Sequence, residues 1–321
     1  MIWIYIFIFI MSFFALALSG KWMVKALTNI AKILGWREFV VAFIIVSLGT
    51  SIPNLFVGIS SALHKIPELS FGDVVGGNLV DMTLLVAITT FIAGGLSVES
   101  RLVQKFSIFT IAAAVLPLIL ILDGKLSRPD GIILLFSFFF YIRWLFQKEE
   151  RFTKVYDHAI NDGKEAQKSF KKLLKETAVL LGGLTLLLIS SEAIVRLSSL
   201  FAAHFNASVA FIGFLIVGLG NALPELFFSI SSAKSGQTWM VLGSLMGSVV
   251  IVSTFVLGIV ALIYPIQITD LSPFAVARFF LLVSALFFLV FIRTDRKITA
   301  KEAIFLLFLY ASFVIAEILI K

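Results

Sequence analysis

The sequence predicts an all-α membrane protein whose ten transmembrane helices form two inverted five-helix repeats. Three observations favour this fold class: a very apolar composition, apolar runs long enough to cross a membrane, and a motif that returns in the second half. The 321 residues are 60% apolar and 14% charged, include 34 phenylalanines and have a mean hydropathy of +1.06. Soluble domains carry about 25% charged residues. We therefore expect most of the chain to lie in lipid.

Ten apolar runs approach or exceed the roughly 20 residues that a helix needs to cross a bilayer core. They cover residues 1–19, 39–63, 72–94, 102–122, 131–147, 176–200, 207–233, 239–263, 273–292 and 302–320. The fifth and sixth runs are separated by a polar segment of mixed charge, which predicts a cytoplasmic linker at 148–175. The first repeat is then 1–147 and the second 176–321. The absence of cysteine excludes disulfides and thiolate metal sites.

The basic residues predict the orientation in the membrane, because cytoplasmic loops carry an excess of lysine and arginine. If the N-terminus is outside, the inner connections hold most of them: Lys21, Lys25, Lys32, Arg37, Arg101, Lys105, the cluster 143–175, Lys234, Arg293, Arg296, Lys297 and Lys301. The net charge of +7 thus reflects the inner loops and not nucleic-acid binding. The sequence predicts a multi-pass protein of the plasma (inner) membrane with both termini outside.

A motif in the second apolar run returns in the seventh. "GTSIPNLFVGISSA" at 49–62 aligns with "GNALPELFFSISSA" at 220–233, a shift of 171 residues, and the same shift pairs Gly72 with Gly243. Five helices separate equivalent positions. Because five is odd, the second copy is expected to enter the membrane in the opposite orientation. Inverted repeats with interrupted helices are typical of secondary transporters.

Two prolines in this motif predict interrupted helices. Pro53 and Pro224 cannot donate a backbone hydrogen bond to Gly49 and Gly220, four residues earlier in the chain. Irregular backbone at membrane depth is tolerated only where it faces protein or a water-filled cavity. We therefore expect each proline to begin a half-helix. The carbonyl groups of the two glycines would then be available to bind a cation.

With both repeats in view, the chain resembles the calcium:cation antiporter superfamily, specifically the prokaryotic sodium/calcium exchangers. The resemblance is carried by "GTSIPN" and "GDVVGGNLVD" in the first half, and by "GNALPE" and "GSLMGSVVIV" in the second. It implies a secondary active antiporter with its ion site at the membrane midplane, in which the first and sixth helices slide over a fixed core. The implied partners are inorganic cations and lipid. No enzymatic activity, cofactor, nucleic acid or protein partner is expected.

The resemblance also implies the site, among the second, third, seventh and eighth helices. Four central positions that usually read Glu, Asn, Glu and Asp are Asn54, Asp81, Glu225 and Val252 here. The changes at 54 and 81 look like a carboxylate moved across the site, and Val252 removes a third carboxyl group. The predicted ion ligands, all with side-chain oxygens, are Thr50, Ser51, Asn54, Asn78, Asp81, Asn221, Glu225 and Ser248.

The buried acids favour an ion site independently of the resemblance. A charged acid at the centre of a membrane helix costs about 2.5–3.5 kcal/mol, so Asp81 and Glu225 are expected to be functional. Two carboxylates with neutral oxygens suit calcium, which takes six to eight oxygen ligands, or sodium with a proton. Thr50 and Ser51 have an alternative role as helix caps. Asp73 is either a charge at a helix start or part of an ion entrance.

Three functions therefore stay open at this point. Sodium/calcium exchange comes first. Cation/proton exchange is favoured by the missing third carboxyl group and by the "GNALPE" motif. The third is a transport-inactive scaffold or sensor of the same fold, against which the retained pair of buried acids argues.

Overall fold

The computed structural model describes residues 2–33, 46–98, 101–148, 163–236, 238–268, 271–294 and 297–320. Nearly all of this part is helical. The helices are α1 (Ile2–Ile33), α2 (Val46–Leu63), α3 (Glu68–Val80), α4 (Val86–Ala93), α5 (Arg101–Leu120), α6 (Arg128–Lys148), α7 (Gly163–His204), α8 (Val209–Ile212), α9 (Gly218–Asn221), α10 (Leu223–Lys234), α11 (Thr238–Val250), α12 (Leu257–Ile263), α13 (Leu271–Thr294) and α14 (Ala300–Ile320). Within the predicted linker, residues 149–162 lie outside the described part, and 163–175 form the beginning of α7.

Three of the long helical rods contain wider π-helical turns. These are Asp81–Leu85 between α3 and α4, Gly213–Val217 between α8 and α9, and Ile251–Val256 between α11 and α12. A π-turn inserts a residue into an α-helix and is frequent at functional sites. Two of the four central positions named by the resemblance, 81 and 252, lie in such turns.

Two small antiparallel sheets close the ends of the helical bundle. Strand β1 (Leu96–Ser97) pairs with β4 (Lys297–Ile298), and β2 (Lys125–Leu126) pairs with β3 (Ile266–Gln267). Helix α5 lies between β1 and β2 in the chain. Its 20 residues span about 30 Å at 1.5 Å per residue. The two sheets therefore lie at opposite ends of the bundle, and each contains one strand from each half of the chain.

Eight helical stretches in the described part are long and apolar enough to cross a membrane. They are Ile2–Met23, Glu68–Ala93, Phe106–Asp123, Lys172–His204, Val209–Lys234, Met240–Ile263, Phe274–Thr294 and Ala300–Ile320. The prediction of an all-α membrane protein is thereby confirmed. Helices α2 and α6 are also present, but they do not meet the same criteria. Residues 34–45, where the predicted run 39–63 begins, lie outside the described part.

Helices α1 and α7 are close neighbours in the bundle. They pack along each other and share an apolar core that includes Phe9, Leu16, Leu187 and Phe201. The ring of Phe9 meets that of Phe201 edge to face at a centroid distance of 5.0 Å. A second and larger core joins α3 to α6 with α10 to α14. The first core also includes residues of α2, α3 and α8, so α1 and α7 are packed directly against those helices.

The break expected at Pro53 is wrong, whereas the break at Pro224 is confirmed. Helix α2 runs from Val46 to Leu63 with Pro53 inside it. A proline has the φ angle of a helix and removes one backbone bond, so a helix packed on both sides of the proline can continue. In the second half, Ala222 separates α9 from α10, and Pro224 is the second residue of α10. Thr50 and Ser51 consequently lie inside a helix and do not cap one.

Glycines bring α3 into backbone contact with the second half of the chain. A Cβ atom on Gly72 would lie 2.5 Å from the carbonyl oxygen of Ala210, and one on Gly76 would collide with the carbonyl oxygen of Phe214. A Cβ atom on Gly213 would meet the Leu69 carbonyl oxygen at 2.6 Å. Small residues allow such close approach of membrane helices. The backbone of α3 is therefore held firmly beside residues 209–221.

Candidate functional site

The candidate site lies where α2, α3, α9, α10 and α11 meet, and a chain of hydroxyl groups crosses it. Ser51 Oγ is 3.2 Å from Ser248 Oγ, which donates to Glu225 Oε1 at 3.0 Å. A serine hydroxyl has a single proton. Because Ser248 donates its proton to Glu225, Ser51 must be the donor to Ser248. This chain joins the two halves of the protein through three of the predicted ligands.

A second polar cluster is centred on Asp73. Asn221 Nδ2 donates to Asp73 Oδ2 at 2.9 Å, and Asn54 Nδ2 donates to the same oxygen at 3.4 Å. The three side chains come from α9, α3 and α2. Asp73 is 0% exposed and is the sixth residue of α3, so it is not a solvated charge at a helix start. The structure brings it into contact with two predicted ligands.

The remaining predicted ligands lie beside these two clusters. Asn78 Nδ2 donates to Ser253 Oγ at 2.7 Å, in the π-turn between α11 and α12. Asp81 begins the π-turn after α3 and is close enough to Glu225 and Asp73 to interact with their charges. The Thr50 hydroxyl donates to the Ser47 carbonyl oxygen at 3.2 Å. We call Asp73, Asp81 and Glu225 the acidic cluster.

Six buried side-chain oxygens around this cluster accept no hydrogen bond from the described residues. They are Asn54 Oδ1, Asp73 Oδ1, Asn78 Oδ1, Asp81 Oδ1, Asn221 Oδ1 and Glu225 Oε2. In the same part of the chain, no lysine or arginine is buried. An unpaired buried acceptor is unfavourable, whereas one cation can be coordinated by several such oxygens at once. The arrangement is therefore suited to holding positive charge.

The acidic cluster differs from a permanent metal centre. No group of three or more histidine, aspartate or glutamate side chains in the described ranges is close enough to hold a metal ion on its own. A cation here would need the neutral oxygens of the asparagines and serines as well. Transported ions must bind well enough to enter a site and weakly enough to leave it. A mixed ligand set meets both requirements.

A cavity of about 360 Å³ opens at the end of the bundle where α3 begins. Glu68, Phe71, Ser208, Phe214 and Phe274 are among the residues that line it. Glu68 precedes Asp73 by five residues, which is about 7.5 Å along a helix. Glu68, which lines the cavity, therefore lies within two helical turns of Asp73 in the acidic cluster.

Asp73, which the sequence analysis left outside the predicted ligand set, had a detectable signal. Positions 73, 77 and 81 are four residues apart, and residues with this spacing lie along one face of a helix. Asp73 was therefore on the same face as the predicted ligand Asp81. Val252, by contrast, is buried in its π-turn and offers no side-chain oxygen. That the eight predicted ligands bind an ion stays a prediction.

Comparisons with known proteins find relatives of similar length. The sodium/calcium exchanger MaX1 of Methanosarcina acetivorans is 24% identical, and the match covers 92% of this chain and 93% of that protein. The inner membrane protein YrbG of Escherichia coli is also 24% identical, over 85% of this chain and 84% of its own. A solved structure of the sodium-calcium exchanger NCX_Mj superposes with a TM-score of 0.66 at 23% identity and covers 98% of both chains. This last likeness shows that the fold is shared.

A family model matches both halves of the chain. The model described as sodium/calcium exchanger protein matches residues 4–147 and 175–319, which together make up most of the chain. Both halves contain candidate ion ligands. The chain therefore belongs to the sodium/calcium exchanger protein family, a family of secondary membrane transporters for cations and not of enzymes.

Proposed function

We propose that this protein is a secondary active antiporter that exchanges calcium for sodium by alternating access. The observation that carries the proposal is the set of six buried oxygens without hydrogen-bond donors around three buried acids. Family membership supports cation antiport in general. The name of the relative MaX1 supports the choice of sodium and calcium. The transported ions are the substrates, and no cofactor is required.

The proposed architecture has ten transmembrane helices in two inverted repeats, 1–147 and 176–321, joined by the linker 148–175. Three findings support it. The two matched segments of the family model begin 171 residues apart, at 4 and 175. The π-turn at Asp81–Leu85 recurs at Ile251–Val256 under the same shift. The shift also relates β1 to β3 and β2 to β4 to within one residue, and the two sheets lie at opposite ends of the bundle.

In the proposed mechanism, α1 and α7 are the helices that slide over the fixed core. These helices pack along each other, and their shared core also includes residues of α2, α3 and α8, across which they would slide as a pair. Helix α1 also passes Pro53 and Pro224 at Gly20, which has no side chain. A Cβ atom on Gly20 would lie 3.5 Å from Pro53 Cγ and 3.9 Å from Pro224 Cγ. A smooth contact at this crossing favours sliding over the candidate site.

Flux measurements on reconstituted protein test the proposed exchange. Calcium uptake into sodium-loaded proteoliposomes is expected to stop when the sodium gradient is removed at constant pH. Uptake that instead follows a pH gradient without sodium would establish the alternative, cation/proton exchange, which the buried Val252 in place of an acid favours. The absence of sodium-, calcium-, magnesium-, manganese- and proton-driven flux would identify a transport-inactive scaffold or sensor.

Cysteine labelling tests the proposed orientation, in which both termini lie outside the plasma (inner) membrane. The chain contains no cysteine, so single cysteines can be introduced without background. Lys65, after α2, and Lys234, at the end of α10, lie close to equivalent positions of the two repeats, and both are exposed. In whole cells an impermeant maleimide is expected to label Lys65→Cys and not Lys234→Cys. Labelling of both positions from the same side would contradict inverted repeats.

A further inference from the structure

We propose that Asp73 is a positioning residue of the ion site, which turns the amide oxygens of Asn54 and Asn221 toward the bound cation. This inference rests on the proposed cation transport and adds a residue to the predicted ligand set. The observation behind it is that a single oxygen, Asp73 Oδ2, accepts hydrogen bonds from both amide nitrogens, at 2.9 Å from Asn221 and 3.4 Å from Asn54.

The chemistry of the amide group gives this contact its consequence. An asparagine side chain presents an N–H₂ donor on one side and an oxygen acceptor on the other. An ionised carboxylate accepts hydrogen bonds and donates none. Asp73 in this form therefore holds the nitrogen sides of Asn54 and Asn221 toward itself. Both amide oxygens are consequently directed away from Asp73, and both lack a donor in the described part of the chain. Calcium and sodium are coordinated by oxygen and repelled by N–H donors.

Without an acceptor at position 73, the amide groups lose this preference. The terminal torsion of asparagine has a broad, roughly two-fold preference. Either amide could then rotate and direct its N–H₂ group at the ion. Asp73 therefore acts on the ion through two ligands.

Asp73 is held rigidly enough to serve this purpose. It lies between Gly72 and Val74 on α3, whose backbone touches that of Ala210 and Gly213 through Gly72. The side chain is completely buried, as is that of Asn221, and Asn54 is 5% exposed. The three residues come from α2, α3 and α9, so the cluster also joins the two halves of the protein.

Cation binding by the detergent-purified full chain tests the proposal independently of transport. The probes are sodium chloride and calcium chloride, with choline chloride as the inert control, and the readout is the cation-dependent rise in unfolding temperature. A hydrogen bond to a charged group is worth about 1.5–3 kcal/mol, which is about tenfold or more in affinity. Asp73→Ala, which removes the acceptor, is expected to raise the apparent Kd for both cations by about tenfold or more. Asp73→Asn keeps an oxygen that can accept from both amides, so it is expected to lose less affinity.

A matched control is Asp130→Asn on α6. Asp130 Oδ2 accepts from the Ser127 backbone nitrogen at 2.8 Å, and an asparagine can also accept this bond. Its cation affinity is expected to equal that of the wild type. Should Asp73→Ala fail to fold, Asp73→Leu takes its place, since leucine offers no acceptor and leaves a smaller cavity, and the same loss of affinity is expected.

A double-mutant cycle separates positioning from charge alone. If Asp73 acts through the Asn221 amide, then Asp73→Ala must lose much of its effect in the Asn221→Ala background. Effects of independent sites add to within about twofold in affinity. Additivity of this quality would overturn the positioning role, as would unchanged cation affinity in Asp73→Ala. If the wild-type protein binds none of the cations, the proposed function is refuted, and this inference is refuted with it.

Discussion

Replacement of Glu225 by glutamine is expected to abolish cation transport and to preserve the fold. The Glu225 side chain is 2% exposed, its Oε1 accepts a hydrogen bond from Ser248 at 3.0 Å, and its Oε2 has no donor in the described part. Glutamine has nearly the same volume and still offers one oxygen to Ser248. The substitution therefore removes the charge and little else.

The size of the effect follows from the electrostatics of a buried site. A unit charge about 4 Å from a carboxylate gains about 4 kcal/mol at an effective dielectric constant of about 20. This corresponds to about a thousandfold in affinity, and a divalent ion loses more. Calcium flux should consequently fall to the level of empty vesicles. Because an unpaired buried charge is itself destabilising, the unfolding temperature without cations is expected to be unchanged or higher.

The assay is radioactive calcium uptake into sodium-loaded proteoliposomes, expressed per mole of reconstituted protein. Glu302→Gln is the matched control. Glu302 Oε2 accepts from the Thr299 backbone nitrogen at 2.6 Å at the start of α14, and glutamine performs the same capping role. Its flux should match the wild type. Normal flux in Glu225→Gln, or an equal loss in both variants, would refute the assignment of Glu225 to the ion site.

Two further predictions concern the acid at 81 and the packing of α3. Asp81→Asn is expected to weaken divalent transport. Adding Asn54→Glu should not rescue it, because residue 54 faces Asp73 and a carboxylate there would be repelled. Rescue in the flux assay would instead show that a carboxylate has moved from 54 to 81. Gly76→Ala is expected to destabilise the protein by about 1–3 kcal/mol through overpacking, as measured by thermal unfolding. Gly182→Ala, where a Cβ atom meets nothing within 4 Å, should be neutral or stabilising by about 1 kcal/mol, and equal losses in both variants would contradict the packing argument.

The membrane fold could be predicted because it depends on quantities that are local in the chain. Apolar runs and the shift of 171 residues are visible without any tertiary contact, and the helices of the structure follow the predicted runs. The break at Pro53 was wrong for a tertiary reason. Ser51, Pro53 and Asn54 are all buried, and the surrounding side chains stabilise a helix in which Pro53 leaves one backbone hydrogen bond unmade.

The candidate site could be predicted only in part. Glu225 and Asp81 were conspicuous because an acid in an apolar helix is costly. The contact between Ser51 and Ser248 joins residues 197 positions apart, and no periodicity in the sequence specifies such a pair. Asp73 stayed ambiguous because it lies next to the predicted helix start at residue 72, where a solvated charge is common. The contact of α3 with residues 209–221 buries it completely. The π-turns likewise have no signal in the sequence.

The central claim is that sodium and calcium use the same buried oxygens, and competition binding tests it most directly. Radioactive calcium is bound to the purified wild-type protein at equilibrium and then displaced by increasing sodium chloride, with choline chloride at equal ionic strength as the control. The account predicts that sodium displaces calcium completely, that choline does not, and that Glu225→Gln binds no calcium. Calcium binding that sodium leaves unchanged, or that survives in Glu225→Gln, would contradict a shared site in this cluster.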